Sequence, residues 1–193
     1  MQKVRHIAVL AGTLCRRSCH RNVVRALGEL APPLLRLEVV EISRLSPYTK
    51  ELDVTPPAEW RAFRRQILAA DGLLFLAPEN ARAVPVALKN ALNIAAHPED
   101  RNAWEGKPGA IVNIPANVPA RVFPRFLAPG DRTRRLRQAL ALLNVPVMQP
   151  PAAFPGDTDT LFDAAGKPAN AATRRLLASF MDTFEQWVHT YRH

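Results

Sequence analysis

Cysteine is scarce in this chain: 193 residues hold two, Cys15 and Cys19. Two are too few for a disulfide framework, and with neighbouring His20 they fall short of a complete metal-ligand set. No apolar run approaches the ~20 residues of a membrane span. The stretch from Met1 to His6 leads into a strand pattern without a signal-peptide core, so the expectation is a reduced, cytoplasmic setting with no membrane partner. There is no Gly-Lys-Ser/Thr phosphate loop, no three-glycine dinucleotide fingerprint, no internal repeat and no low-complexity linker. Acidic residues are in deficit, 17 against 26 Lys and Arg, for a formal net charge of +9. Such a surface attracts anions. The chain lacks the exposed aromatics or module of a nucleic-acid binder, and its 18 prolines and many alanines fit a compositionally biased, solvated arginine surface.

What is present suffices for one domain spanning residues 1–193. Hydrophobic residues make up 48%, and a chain of this length buries roughly 70% of its unfolded surface. His6-Ile7-Ala8-Val9-Leu10 reads as a buried parallel strand. From His20 to Leu30 the period turns helical, with Val23, Val24, Leu27 and Leu30 on one face. Leu35 to Ile42 is a second strand, and Ser43 to Pro57, with three prolines, a long loop. A helix follows from Trp60 to Ala70, then a strand from Gly72 to Ala77. The next helix runs from Pro85, a residue suited to a first turn, to Ala96. Gly109 to Ile114 is a fourth strand, Arg134 to Leu143 a helix, Val145 to Met148 a short fifth strand, and Ala171 to Tyr191 a closing helix. Alternation of this kind predicts βαβ units, a five-stranded parallel sheet and helices on both faces. Ligands of such sheets lie beyond the carboxyl ends of the strands, so the loops after Leu10, Leu76 and Ile114 matter most.

The first of these loops reads Gly12-Thr13-Leu14-Cys15-Arg16-Arg17-Ser18-Cys19-His20-Arg21-Asn22. It joins a strand to a helix N-terminus, where free backbone N–H groups and the helix dipole favour an anion. Thr13 and Ser18 offer hydroxyls, and Arg16, Arg17 and Arg21 offer charge. The plainer alternative is that Ser18 caps the helix and the arginines are solvated. Cys15, beside arginines, is a candidate for a lowered thiol pKa.

Ala11-Gly12-Thr13-Leu14 with Ser18 and Arg21 resembles the phosphate loop of the NADPH-dependent FMN reductase family, which has the flavodoxin-like three-layer fold. Ala70-Asp71-Gly72-Leu73-Leu74-Phe75-Leu76-Ala77-Pro78-Glu79, then Pro85 and Leu88-Lys89-Asn90-Ala91-Leu92, resembles that family's strand-Pro-Glu-Tyr and Pro-Gly-x-Leu-Lys-Asn segments. Trp104-Glu105-Gly106-Lys107-Pro108 and Asn144-Val145-Pro146-Val147 are similar to two further segments, so the likeness spans nearly the whole chain. It implies an enzyme that binds FMN and passes electrons from NAD(P)H to a small-molecule acceptor. The flavin carries the chemistry, so no catalytic side chain and no metal is expected. The likeness assigns Thr13, Ser18, His20, Arg21 and Asn22 to the phosphate end. It assigns Pro78, Glu79, Asn80 and Ala81 to one side of the flavin ring, and Asn113 and Asn117 to the other. It also implies a homo-oligomer, a dimer or tetramer.

The chain departs from the family's pattern at named positions. Cys15 stands for an arginine, His20 for an asparagine, Asn80 for the tyrosine beside the ring, and Val86 for a glycine. Asn113-Ile114-Pro115-Ala116-Asn117 replaces a glycine-bearing loop, and an apparent Pro- and Arg-rich insertion covers 118–132. Two readings follow. One is an oxidoreductase with an altered flavin pocket; the alternative is a cofactor-less flavodoxin-like protein for binding or assembly. Lys89 and Asn90 are expected to anchor their helix to a neighbouring loop or subunit. His97, His189 and His193 read as surface histidines.

Overall fold

A computed structural model describes residues 3–11, 19–78, 84–97, 102–114, 133–149, 163 and 167–191. Four strands, β1 (Arg5–Ala11), β2 (Leu35–Val39), β3 (Gly72–Pro78) and β4 (Gly109–Ile114), form one sheet in the order β2-β1-β3-β4. Every pairing is parallel. The helices are α1 (Cys19–Leu30), α2 (Ala58–Ala69), α3 (Val86–Ala96), α4 (Arg134–Leu142) and α5 (Ala171–Thr190).

The period-2 geometry of the strands splits the core into two layers. Ala8, Leu10, Leu73, Phe75, Ala77 and Ile111 face α2, α3 and α4, where they meet Trp60, Phe63, Ile67, Leu88, Leu92, Leu136 and Leu140. Ile7, Val9, Leu74, Leu76, Ala110 and Val112 face α1 and α5, where they meet Val23, Leu27, Leu177, Phe184 and Val188. This is the three-layer, flavodoxin-like arrangement that the alternating pattern predicts. Prolines set two helix starts: Pro57 and Pro85 are the caps before α2 and α3, where a missing N–H costs nothing. Asn170 caps α5 by accepting the Thr173 N–H at 2.9 Å.

The expected fifth strand is reduced to one parallel bridge, Gly109 to Val147. Gly109 N–H donates to Pro146 O and Met148 N–H to Gly109 O. The Met148 carbonyl, which would continue the ladder, accepts the Arg137 guanidinium instead, at 3.2 Å from each terminal nitrogen. The long loop after β2 holds a 3₁₀ turn at Lys50–Asp53.

Candidate functional site

The carboxyl ends of β1, β3 and β4 lie side by side. Ala11 pairs with Leu76, Ala77 with Asn113, and Pro78 with Ile114. From β1 the chain crosses to β2 on one side, whereas β3 and β4 build the other side, so the strand order reverses between β1 and β3. A crevice at such a switch point is where open parallel sheets bind ligands. The start of α1 follows the β1 loop directly. Its first turn carries no acidic residue, so nothing there neutralises its free N–H groups.

Of the site residues expected from sequence, Thr13, Ser18, Glu79, Asn80, Ala81 and Asn117 lie outside the described residues, as do Cys15 and the 118–132 insertion. His20, Arg21 and Asn22 lie on the first turn of α1. Pro78 is the last residue of β3, and Asn113 is next to last in β4. The fold therefore brings the phosphate-end segment and both ring-side segments to one edge of the sheet. Val86 is 86% exposed on the first turn of α3.

Polar contacts missed at the sequence level tie α3 to α2 and to the loop after β2. Tyr48, in the loop after β2, is stacked between Trp60 of α2 (5.5 Å) and His97 at the end of α3 (5.0 Å). Its hydroxyl donates to Asp53 at 2.6 Å. Burial, reinforced by that carboxylate, pushes the phenol pKa up to about 12. Asp53 also accepts Arg64 at 3.2 Å, and Arg64 Nε donates to Ile94 O at 2.6 Å. Asn90 Oδ1 accepts the Tyr48 N–H at 2.7 Å, and its Nδ2 donates to Ser46 O at 3.0 Å. Asn90 thus anchors α3 to a loop, as expected; Lys89 is exposed. His97 is not a plain surface residue, because its ring packs on Tyr48. His189 also departs from that reading, with Nδ1 buried and lacking a hydrogen-bond partner. His193 lies outside the described residues.

At the opposite, amino edge, the Trp104-to-Pro108 segment proves structural. Trp104 is fully buried and its indole N–H donates to Leu92 O at 3.0 Å. Gly106 takes a φ of 71°, which glycine adopts without penalty. Lys107 Nζ donates to Leu68 O at 3.1 Å and Ala70 O at 2.7 Å, satisfying carbonyls at the end of α2. Burial lowers the Lys107 pKa, opposed by Asp71. Asp71 accepts Arg5 at 2.8 Å and the His6 N–H at 2.9 Å. Burial alone would raise the Asp71 pKa, but the His6 and Arg5 bonds, with Lys3 nearby, hold it below the ordinary value. Among the described residues no three His, Cys, Asp or Glu side chains group as a metal site. No helix among them is long and apolar enough to cross a membrane.

Switch-point strand ends beside an acid-free helix start define a flavodoxin-like domain suited to a phosphate-bearing ligand. The flavoenzyme NAD(P)H:(acceptor) oxidoreductase FerB of Paracoccus denitrificans has the same fold, with a TM-score of 0.83 at 26% identity over 97% of this chain and 99% of its own. The sequence pattern of the NADPH-dependent FMN reductase family matches residues 5–159, and the chain belongs to that family. A quinone reductase of Pseudomonas putida is 39% identical over 100% of this chain and 99% of its own length. A 2-hydroxy-1,4-benzoquinone reductase of a Burkholderia species is 34% identical over 96% and 97%. The protein is thus an NAD(P)H-dependent oxidoreductase that works with FMN, and nothing in these relationships favours the cofactor-less alternative.

Proposed function

We propose that the protein is an FMN-dependent NAD(P)H:quinone oxidoreductase whose flavin lies across the carboxyl ends of β1, β3 and β4. The observation that carries this reading is the register joining those three strand ends beside the start of α1. The named relatives support a quinone as electron acceptor. Thr13, Ser18, His20, Arg21 and Asn22 would hold the phosphate, combining α1 N–H groups with hydroxyls and a guanidinium. Pro78, Glu79, Asn80 and Ala81 would border one side of the ring, and Asn113 and Asn117 the other. FMN, when bound, supplies the two-electron chemistry between NAD(P)H and the quinone. The protein's own contribution is to bind, orient and shield. No side chain is required as a proton donor. The departures at Asn80 and in the glycine-free 113–117 stretch fall at the ring end, so the phosphate end contributes most of the flavin affinity. A soluble cytoplasmic homo-oligomer, dimer or tetramer, completes the proposal, with the 118–132 segment at the site mouth or a subunit contact.

The test is to add FMN to the purified protein, follow flavin fluorescence, and then measure NADPH oxidation with and without 1,4-benzoquinone. Flavin binding with quinone-dependent oxidation is expected. Failure to bind FMN, or binding without any quinone-dependent turnover, would contradict the proposal. Light scattering after size exclusion tests the oligomer, and a monomer would contradict that part.

A further inference from the structure

We infer that Asn90 is a positioning residue, which fixes where α3 begins relative to the end of β3 and so sets the width of the crevice at the strand ends. The inference rests on the site reading above for its functional meaning, but its structural half stands without it. The buried face of α3 is made of Leu88, Ala91, Leu92, Ile94 and Ala95. Apolar packing of this kind is strong but non-directional, and a smooth Leu and Ala face leaves small rotations of the helix cheap. Directed bonds remove that freedom. Asn90 supplies two of them in mid-helix, accepting the Tyr48 N–H at 2.7 Å and donating to Ser46 O at 3.0 Å. The C-terminal half is held separately, by Arg64 Nε to Ile94 O at 2.6 Å, Trp104 Nε1 to Leu92 O at 3.0 Å and the Ala103 N–H to Ala95 O at 2.9 Å, and the Tyr48–His97 stack holds the far end.

The loop that receives these bonds is itself fixed. Trp60 Nε1 donates to Ser46 Oγ at 3.0 Å, and Tyr48 is tied through Asp53 to Arg64. Asparagine is a mediocre helix former, and an apolar residue of similar size at position 90 would leave the Tyr48 N–H without its partner and the Ser46 carbonyl with only the longer Trp60 bond at 3.3 Å. The polar residue therefore serves register more than helicity. Only five residues connect Pro78 of β3 to Val84 ahead of α3. With β3 fixed by β1 and β4, the start of α3 is the adjustable end, and Asn90 lies within about 6 Å of it along the helix axis at 1.5 Å per residue.

The structure contains a natural control. Asn102 makes the same two kinds of bond, accepting the Trp104 N–H at 3.1 Å and donating to Leu143 O at 3.0 Å, ahead of β4 at the amino edge. Asn90→Ala and Asn102→Ala are compared by hydrogen exchange in the FMN-free protein, read at Lys89 to Leu92. Both are then loaded with FMN and compared by visible circular dichroism of the flavin. Asn90→Ala should speed exchange there by about tenfold or more and change the flavin dichroism, while Asn102→Ala leaves both near wild type. Asn90→Asp keeps the acceptor for Tyr48 N–H and should restore part of both signals; it carries the comparison alone if Asn90→Ala does not fold. Wild-type exchange in the Asn90 variants overturns the inference, as does an equal response in Asn102→Ala. Failure of the wild type to bind FMN overturns the functional reading instead, and leaves the exchange result to decide the inference.

Discussion

Asn102 and Asn90 are chemically alike, yet they belong to opposite edges of the sheet. At the amino edge, Asn102, Lys107 and Asp71 all satisfy the chain's own backbone: a carbonyl at the end of α4, the last carbonyls of α2, and the His6 N–H. That edge closes on itself. Toward the carboxyl edge, Asn90 satisfies the Tyr48 N–H and the Ser46 carbonyl of one loop, while β1, β3 and β4 end side by side beyond it. The bonds of Asn102 and Asn90 are of one strength class, so their energies do not distinguish the two roles. Position relative to the strand ends does. Changes at the amino edge should lower stability with flavin affinity intact, whereas changes at the carboxyl edge should alter flavin binding whether or not they also cost stability.

The largest test of that contrast is Trp104→Ala. Its side chain is fully buried, and removing it should cost about 3–5 kcal/mol, read as a large drop in Tm. Any folded fraction should still bind FMN. The carboxyl-edge counterpart is the double change Ser18→Ala with Arg21→Ala. Each charge-assisted bond lost costs roughly 1.5–3 kcal/mol, so FMN affinity should fall at least about tenfold, at ~1.4 kcal/mol per decade, with Tm nearly constant. Unchanged affinity would remove the phosphate assignment.

Asp71→Asn probes the amino edge by pH. The folded carboxyl titrates below its ordinary value of 3.8, so its stabilisation is complete above that value and is lost as pH falls through the lower folded one. The variant should be less stable by about 1–2 kcal/mol at neutral pH, and the difference should shrink as acid is added. A pH-independent difference would show that shape, not charge, is what Asp71 provides. The smallest effect is expected for Val86→Ala. At 86% exposure the change should stay within about 0.5 kcal/mol in stability, so any shift in the KM for quinone would mark Val86 as part of the site mouth.

The helices and the first four strands were legible because their apolar periods are regular. Gly109 to Ile114 agrees residue for residue, and the other ends fall within about three residues. The fifth strand looked like its neighbours in sequence, but a ladder also needs N–H donors, and Pro146, next to the one bridge, has none. The loop after β2 carried no period, so its 3₁₀ turn and the Tyr48 stack were invisible to pattern reading. Tyr48, Asp53 and Trp60 within one stretch were the available clue. Lys107 and Asp71 were noticed as parts of resembling segments, yet their contacts are long-range, to residues 37 and 66 positions away, and no local rule reveals such partners. Asn90 was legible as an anchor from its place in the Leu88-Lys89-Asn90-Ala91-Leu92 segment. The juxtaposition of the three strand ends was legible from the alternating pattern; the loop residues proposed for the site lie largely outside the described residues.

The central claim is that the crevice at the ends of β1, β3 and β4 binds FMN mainly through its phosphate end. It is tested most directly by titrating the apo-protein with FMN and with riboflavin, which lacks the phosphate, under one set of conditions. The account predicts saturable FMN binding with riboflavin weaker by about tenfold or more, as loss of a charge-assisted phosphate contact requires. Equal affinity for the two flavins, or no binding of either, would contradict it.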